Sequence, residues 1–177
     1  MRAEAGLTLI ELIITLLLLA GLMTAVAMSL NPVLLAWSSQ LDRMELQRQA
    51  QHGLEQALRD LRPATDFQND TNHAIRFTVR QSGVTNASIL YLYHASDSWP
   101  PAYNQSTYQL REATLTGGIG GTFTYGDGTL YLRDVQPPAT SDLSVSGSGT
   151  NEVALLDVTL SRGAETYRVL ERVKRRN

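Results

Sequence analysis

The chain has 177 residues, a formal net charge of −2 and no cysteine. A near-neutral balance gives no reason to expect a nucleic-acid partner. Without cysteine there is no disulfide staple, so any folded part holds by packing alone. The length leaves room for one modest domain once an apolar N-terminal run is set aside.

That run comes first. From Leu7 to Leu41 the only charged side chain is Glu11, and Leu, Ile, Val, Ala and Met dominate as far as Leu30. About 20 apolar residues suffice to cross a bilayer, so the run is long enough. An acidic residue at the centre of a membrane helix costs roughly 2.5 to 3.5 kcal/mol, and less toward the interface. Glu11 therefore asks for a partner. Arg2 is one candidate, and a free α-amino group, its own or a neighbour's, is another. The plain alternative is a carboxylate at headgroup level reaching water. Cleavage between Gly6 and Leu7 would create such an amine and make Glu11 the fifth residue of the shortened chain.

The stretch Gly6-Leu7-Thr8-Leu9-Ile10-Glu11-Leu12 resembles the class III signal of type IV pilins and type II secretion pseudopilins. In that family a short leader ends in glycine. A prepilin peptidase in the membrane cuts after it and methylates the new N-terminus, and the fifth mature residue is glutamate. The resemblance implies that residues 1–6 are a leader, that Gly6 and Leu7 flank the cleavage site, that Leu7 is the N-methylated residue, and that Glu11 is the assembly glutamate. Two features depart from the pattern. Leu7 stands where phenylalanine is usual, and the leader carries Glu4 beside its single base, Arg2, which weakens its positive-inside signal. A rival reading takes Ala25-Val26-Ala27 as the A-x-A site of an ordinary secretory signal. The long apolar region with a glutamate inside it argues against that. A plain signal anchor is a further alternative.

Residues 7–30 read as the transmembrane helix. Pro32 removes one helical hydrogen bond and clashes with the preceding turn, which predicts a kink or a locally melted turn near residues 27–30. Asn31-Pro32 could equally end one helix and begin another. Residues 31–62 read as an amphipathic helix with a dry stripe of Leu41, Met44, Leu54, Leu58 and Leu61, filled by Ala50 and Ala57. Unbroken, the helix would extend about 80 Å at 1.5 Å per residue. Pro63 closes it.

Residues 63–177 read as a strand-and-turn head. Residues 64–73 (ATDFQNDTNH) read as a polar loop. Asp66, Asn69, Asp70 and Asn72 there could offer oxygens to calcium, but their spacing misses the EF-hand pattern and turn formation is the preferred reading. Strands are expected at 75–79, at 89–93 (the most apolar, hence central) and at 108–111. Ser82-Gly83 with Thr85-Asn86 marks one turn and residues 116–121 (TGGIGG) another. Residues 122–125 and 129–135 flank Asp127-Gly128, a hairpin signal. Residues 136–150 read as a long loop. Residues 153–160 and 166–173 form a last hairpin around Arg162-Gly163. One long helix followed by runs of strands implies an α+β fold with an antiparallel sheet covered by the amphipathic half of the helix. The family resemblance implies the same pilin-like fold. A narrower resemblance, to the J-type minor pseudopilin of type II secretion and the W-type minor pilin, rests on residues 89–93 and 108–111, the Gly-rich turn after them, and a last strand ending in Arg176-Asn177.

No catalytic constellation is legible, and the chain is expected not to be an enzyme and to need no cofactor. His52, His73 and His94 lie outside metal-ligand spacing, so no metal site is expected. Ser148 sits in a Gly-Ser-Gly linker rather than a nucleophile elbow. The basic end, Arg172 to Arg176, could attract acidic lipid or nucleic acid, though a solvated end is the preferred reading. Trp99 with Pro100, Pro101 and Tyr103 could form a contact patch, though folding back onto the core is preferred.

The expected function is structural: a minor subunit of a type IV pilus or type II secretion pseudopilus, in an initiation or tip complex. The resemblance implies three partners, the prepilin peptidase, other pilin or pseudopilin subunits and the cytoplasmic membrane, and places the chain as a single-pass protein of the bacterial inner membrane with its head in the periplasm. The competing expectation is a membrane-anchored binding protein that never polymerises.

Overall fold

The computed structural model describes residues 8–70 and 72–176. The chain divides into two compact units, residues 1–41 and 42–177. One helix, α1 (Leu9–Leu61), supplies the whole described secondary structure of the first unit and the opening element of the second.

In the first unit, Pro32 lies inside the helix rather than at its end, so the chain neither melts at residues 27–30 nor restarts at Asn31. Every large apolar side chain from Leu9 to Leu41 is at least 45% exposed, which leaves an apolar surface on all sides of the helix.

In the second unit the helix becomes one-sided. Leu46, Ala50, Leu54, Ala57 and Leu61 are buried at intervals of three and four residues, the period that puts them on one face. Leu41 and Met44, expected on this stripe, are exposed, because the burying sheet reaches the helix only from Leu46 onward. Gly53 belongs to the stripe for a different reason. A Cβ there would fall 2.3 Å from Leu132 Cδ2 and 2.3 Å from the Tyr131 carbonyl oxygen, so only glycine lets the helix approach the sheet this closely. Arg62 N–H caps the Leu58 carbonyl at 2.8 Å, and Pro63 stops the helix.

The sheet is antiparallel, with β1 (Ala64–Asp70), β2 (Ala74–Gln81), β3 (Val84–Tyr93), β4 (Tyr108–Thr114), β5 (Thr129–Val135), β6 (Asp142–Ser146), β7 (Val153–Arg162) and β8 (Glu165–Lys174). The strand order is β1-β2-β3-β4-β5-β7-β6, with β8 on the other edge of β7. The α+β fold with a long helix and an antiparallel sheet stands as expected. β3 is an interior strand, as its composition predicts, and alternates between two cores. Leu90 and Leu92 join the helix-facing core, while Ile89 and Tyr91 face a smaller cluster on the opposite side. Ser82-Gly83 alone makes the β2–β3 turn. Both residues have positive φ, 53° and 85°, the condition for a two-residue turn matching strand twist. Thr85 and Asn86 are already strand.

Three further segments differ from expectation. Residues 64–70 are β1 rather than loop. An edge strand needs few apolar residues, and Ala64 and Phe67 supply the burial. Residues 142–146 form β6 inside the expected loop, because Leu143 and Val145 alternate inward while Asp142, Ser144 and Ser146 occupy the other face. Residues 122–125 are not a strand. A single bridge pairs Thr122 with Thr116, and Phe123 and Tyr125 instead stack on Tyr91 at 4.8 and 5.6 Å. Asp127-Gly128 still turns, but β5 pairs with β4. A Cβ on Gly128 (φ 93°) would fall 1.8 Å from the Glu112 carbonyl oxygen.

The sheet curls so that its first strand returns to its last. Arg176 N–H bonds the Ala64 carbonyl at 3.0 Å and Phe67 N–H bonds Glu152 at 3.3 Å. Arg175 bridges Asp66 at 3.5 Å and Glu152 at 3.3 Å. At the basic end Arg172, Lys174 and Arg176 are exposed, as the preferred reading expects, while the Arg175 side chain and the Arg176 backbone form a clasp to β1.

Candidate functional site: an apolar helix with an acidic first turn

A carboxylate in the first turn of an otherwise uncharged apolar helix sets the chemistry of the first unit. Glu11 is exposed and sits three residues after Thr8. Thr8 N–H and Oγ1 each lie 3.4 Å from Glu11 Oε2, and Glu11 N–H lies 3.4 Å from Thr8 Oγ1. This reciprocal arrangement is a capping box: the Glu11 carboxylate accepts from Thr8 N–H, and the Thr8 hydroxyl shares Glu11 N–H with the Thr8 carbonyl at 3.1 Å. The positive end of the helix dipole also favours the carboxylate there. The T-x-x-E spacing announces the box in the sequence, and it supplies Glu11 with an uncharged partner beside the charged ones expected above. Gly6 and Leu7, the expected cleavage and methylation residues, lie outside the described residues, as does Arg2.

The hydroxyls of this segment are satisfied by the helix itself. Thr15 donates to the Leu12 carbonyl at 2.8 Å, Thr24 to Ala20 at 2.8 Å, and Ser29 to Val26 at 2.9 Å. Ser38 and Ser39 bond the Leu35 and Ala36 carbonyls at 2.9 and 3.1 Å. A hydroxyl bonded this way needs no water. The helix is thus long and apolar enough to span a membrane.

The second unit holds polar networks that stabilise it. Tyr131 on β5 donates its phenol to Asp60 Oδ2 at 2.6 Å, at the last turn of α1, and also lies against Glu112 Oε2 on β4. Burial, then the two carboxylates, push the Tyr131 phenol well above its ordinary range, so it stays neutral and remains a donor. These residues are 52 and 19 positions apart in the chain (112 − 60 and 131 − 112), and no local pattern announces them. Trp99 folds back, stacking edge-on over Tyr91 at 6.1 Å and Phe123 at 5.0 Å, as the preferred reading of that loop expects. Burial in the same cluster pushes the Tyr125 phenol up to about 12.

The expected polar residues of 64–73 are engaged elsewhere. Asp70 holds Arg76 at 2.8 Å and Asn72 at 2.9 Å, and Asp66 faces Arg175. His73 pairs with Asp142 at 3.0 Å, and His94 accepts from Ser96 N–H at 3.1 Å. Among the described residues no group of three or more metal-ligating side chains converges.

No protein family, curated protein or solved structure matches the chain. Its likeness to known proteins rests on architecture: a long apolar N-terminal helix whose later half packs on an antiparallel sheet is pilin-like.

Proposed function

We propose that the chain is a structural minor subunit of a type IV pilus or type II secretion pseudopilus, cut between Gly6 and Leu7 by a prepilin peptidase and methylated at Leu7. Its helix would first reside in the cytoplasmic membrane, with the head in the periplasm, and then pack among the helices of other subunits. The observation that carries the reading is the helix of the first unit, apolar on all sides, with one carboxylate in its first turn directly after the Gly6-Leu7 junction. In a dry helical bundle an unpaired Glu11 is costly, and the amine of an adjacent subunit would offset much of that cost. A subunit entering at the wrong height would leave both charges unmatched, so the pair would act as a register device. Intact mass and N-terminal sequence of the protein recovered from native membranes test the reading. A chain starting at methylated Leu7 supports it. A chain starting at Met1, or after Ala27, overturns it.

The capping box favours a second reading, a single-pass anchored protein that does not polymerise, because Thr8 satisfies Glu11 without any neighbour. Glu11→Gln separates the two. Glutamine retains the box and removes the charge. The register reading expects Glu11→Gln to insert and be cleaved normally but to be lost from assembled filaments, as Glu11→Ala would be. Incorporation of Glu11→Gln at the normal level would leave Glu11 as a cap alone.

A further inference from the structure

The hairpin β7–β8 leaves one edge of the sheet open beside the helix. Arg162 and Glu165 flank a two-residue turn, so they exchange ladder hydrogen bonds. Alternation then turns the backbone N–H and C=O of Thr166, Arg168, Leu170, Arg172 and Lys174 away from β7. The neighbouring contacts agree with this phase. Arg175 N–H, an odd position, points back to the Glu152 carbonyl, and Thr159 on β7 bonds Ser141 on the far side from β8. Past β8 this edge is closed, where Arg176 N–H meets the Ala64 carbonyl of β1, but from Thr166 to Lys174 no described strand pairs with it. Between it and α1 runs a groove of about 440 Å³ whose floor is Leu54, Leu58, Tyr167 and Val169, with Glu55 and Glu171 at its rim.

We infer that this edge is a docking site for an extended segment of a partner chain with alternating apolar and acidic residues. An open row of main-chain groups selects an extended strand, and a groove under one face of that strand accepts every second side chain. The charges select its composition. Arg172 and Lys174 project from the other, exposed face of β8, beside Arg168, whose guanidinium is already paired with Asp157 of β7. Pairing with a second copy, in the register centred on Leu170 with both helices on one side, would place Arg168 opposite Arg172 twice. Like charges directly opposite are destabilising. The basic row that disfavours a second copy favours glutamates on the outward positions of a partner strand, while valine-sized residues meet the floor.

The test uses the full chain in detergent micelles and a fluorescein-labelled, end-capped octapeptide alternating valine and glutamate. Saturable binding is expected. Leu170→Pro, which removes an N–H that faces away from β7, should weaken it at least tenfold, as should lysine in place of glutamate in the peptide. Because proline can disturb the hairpin, hydrogen exchange on the unsubstituted chain gives a second measurement. Peptide should protect the amides of Thr166, Arg168, Leu170 and Arg172 and leave those of Tyr167 and Val169 unchanged. Absence of saturable binding, protection elsewhere, or unchanged binding by a folded Leu170→Pro chain would overturn the inference. So would self-association of the unsubstituted chain that Leu170→Pro abolishes, which would assign the edge to a second copy.

Discussion

Two stretches of α1 share one backbone and differ in what they must be dissolved in. Up to Leu41 the helix is apolar all round, and its hydroxyls bond to its own carbonyls. From Leu46 it has one dry face, and its polar positions carry pairs such as Glu45–Arg48 at 2.9 Å. A helix that is apolar all round is stable only in lipid or among other helices, whereas a one-sided helix carries its own covering domain. The difference teaches that helix propensity is shared along α1 and that burial, not propensity, divides its roles.

The sharpest way to break this comparison is to shorten a leucine in each stretch. Leu54→Ala should lower the stability of the second unit by about 2–5 kcal/mol, because it empties a buried site, and denaturant melts followed by Trp99 fluorescence would read the loss. Leu34→Ala should leave the same melt unchanged within about 0.5 kcal/mol, since Leu34 is 63% exposed. Equal losses at the two positions would remove the distinction.

Close approach gives the next effect. Gly53→Ala should destabilise the second unit by about 1–3 kcal/mol through overpacking against β5, whereas Gly21→Ala, with open space around it, should stabilise the helix slightly. Helical circular dichroism and the same melt would report both.

Tyr131→Phe should cost about 1 kcal/mol at neutral pH, because Asp60 and Glu112 then face each other without a donor. Its pH profile sharpens the assignment. The folded phenol titrates above its unfolded value of 10.0, so its contribution is fully present below pH 10 and is lost as pH rises from there toward the folded value. Alkaline destabilisation should therefore be smaller in Tyr131→Phe than in the unsubstituted chain, and identical alkaline slopes would contradict the hydrogen bond.

The smallest effect is at the surface. The Arg168 guanidinium, by its hydrogen bonds, holds Asp157 below its usual 3.8. A lowered carboxylate contributes stability above its unfolded pKa and loses it as pH falls through the folded one. Arg168→Ala should flatten the acid limb of the melt below about pH 4, and scarcely move it at pH 7 because Arg168 is exposed.

The sequence was most legible where one local period carried the signal. The apolar run, the interior strand with Ile89 and Leu90, and the last hairpin follow from spacing alone. β1 and β6 were illegible because a strand that buries two or fewer large side chains shows too little alternation to stand out from turn residues. Phe123 and Tyr125 misled for the opposite reason. Their alternation is real, but they stack on Tyr91 instead of pairing. At the candidate site, the T-x-x-E spacing of Thr8 and Glu11 carries the cap, because a capping box spans only one helical turn.

By itself the sequence determined that a long helix exists, that its first half is uncharged except at Glu11, and that strands follow it, because these depend on neighbours within a few positions. Only the tertiary structure decided where the dry stripe begins, why position 53 is glycine, how Arg175 and Arg176 tie the sheet to β1, and which strand edge stays open. Each of those depends on chain segments tens of residues apart meeting at contact distance, and no local period records such a meeting.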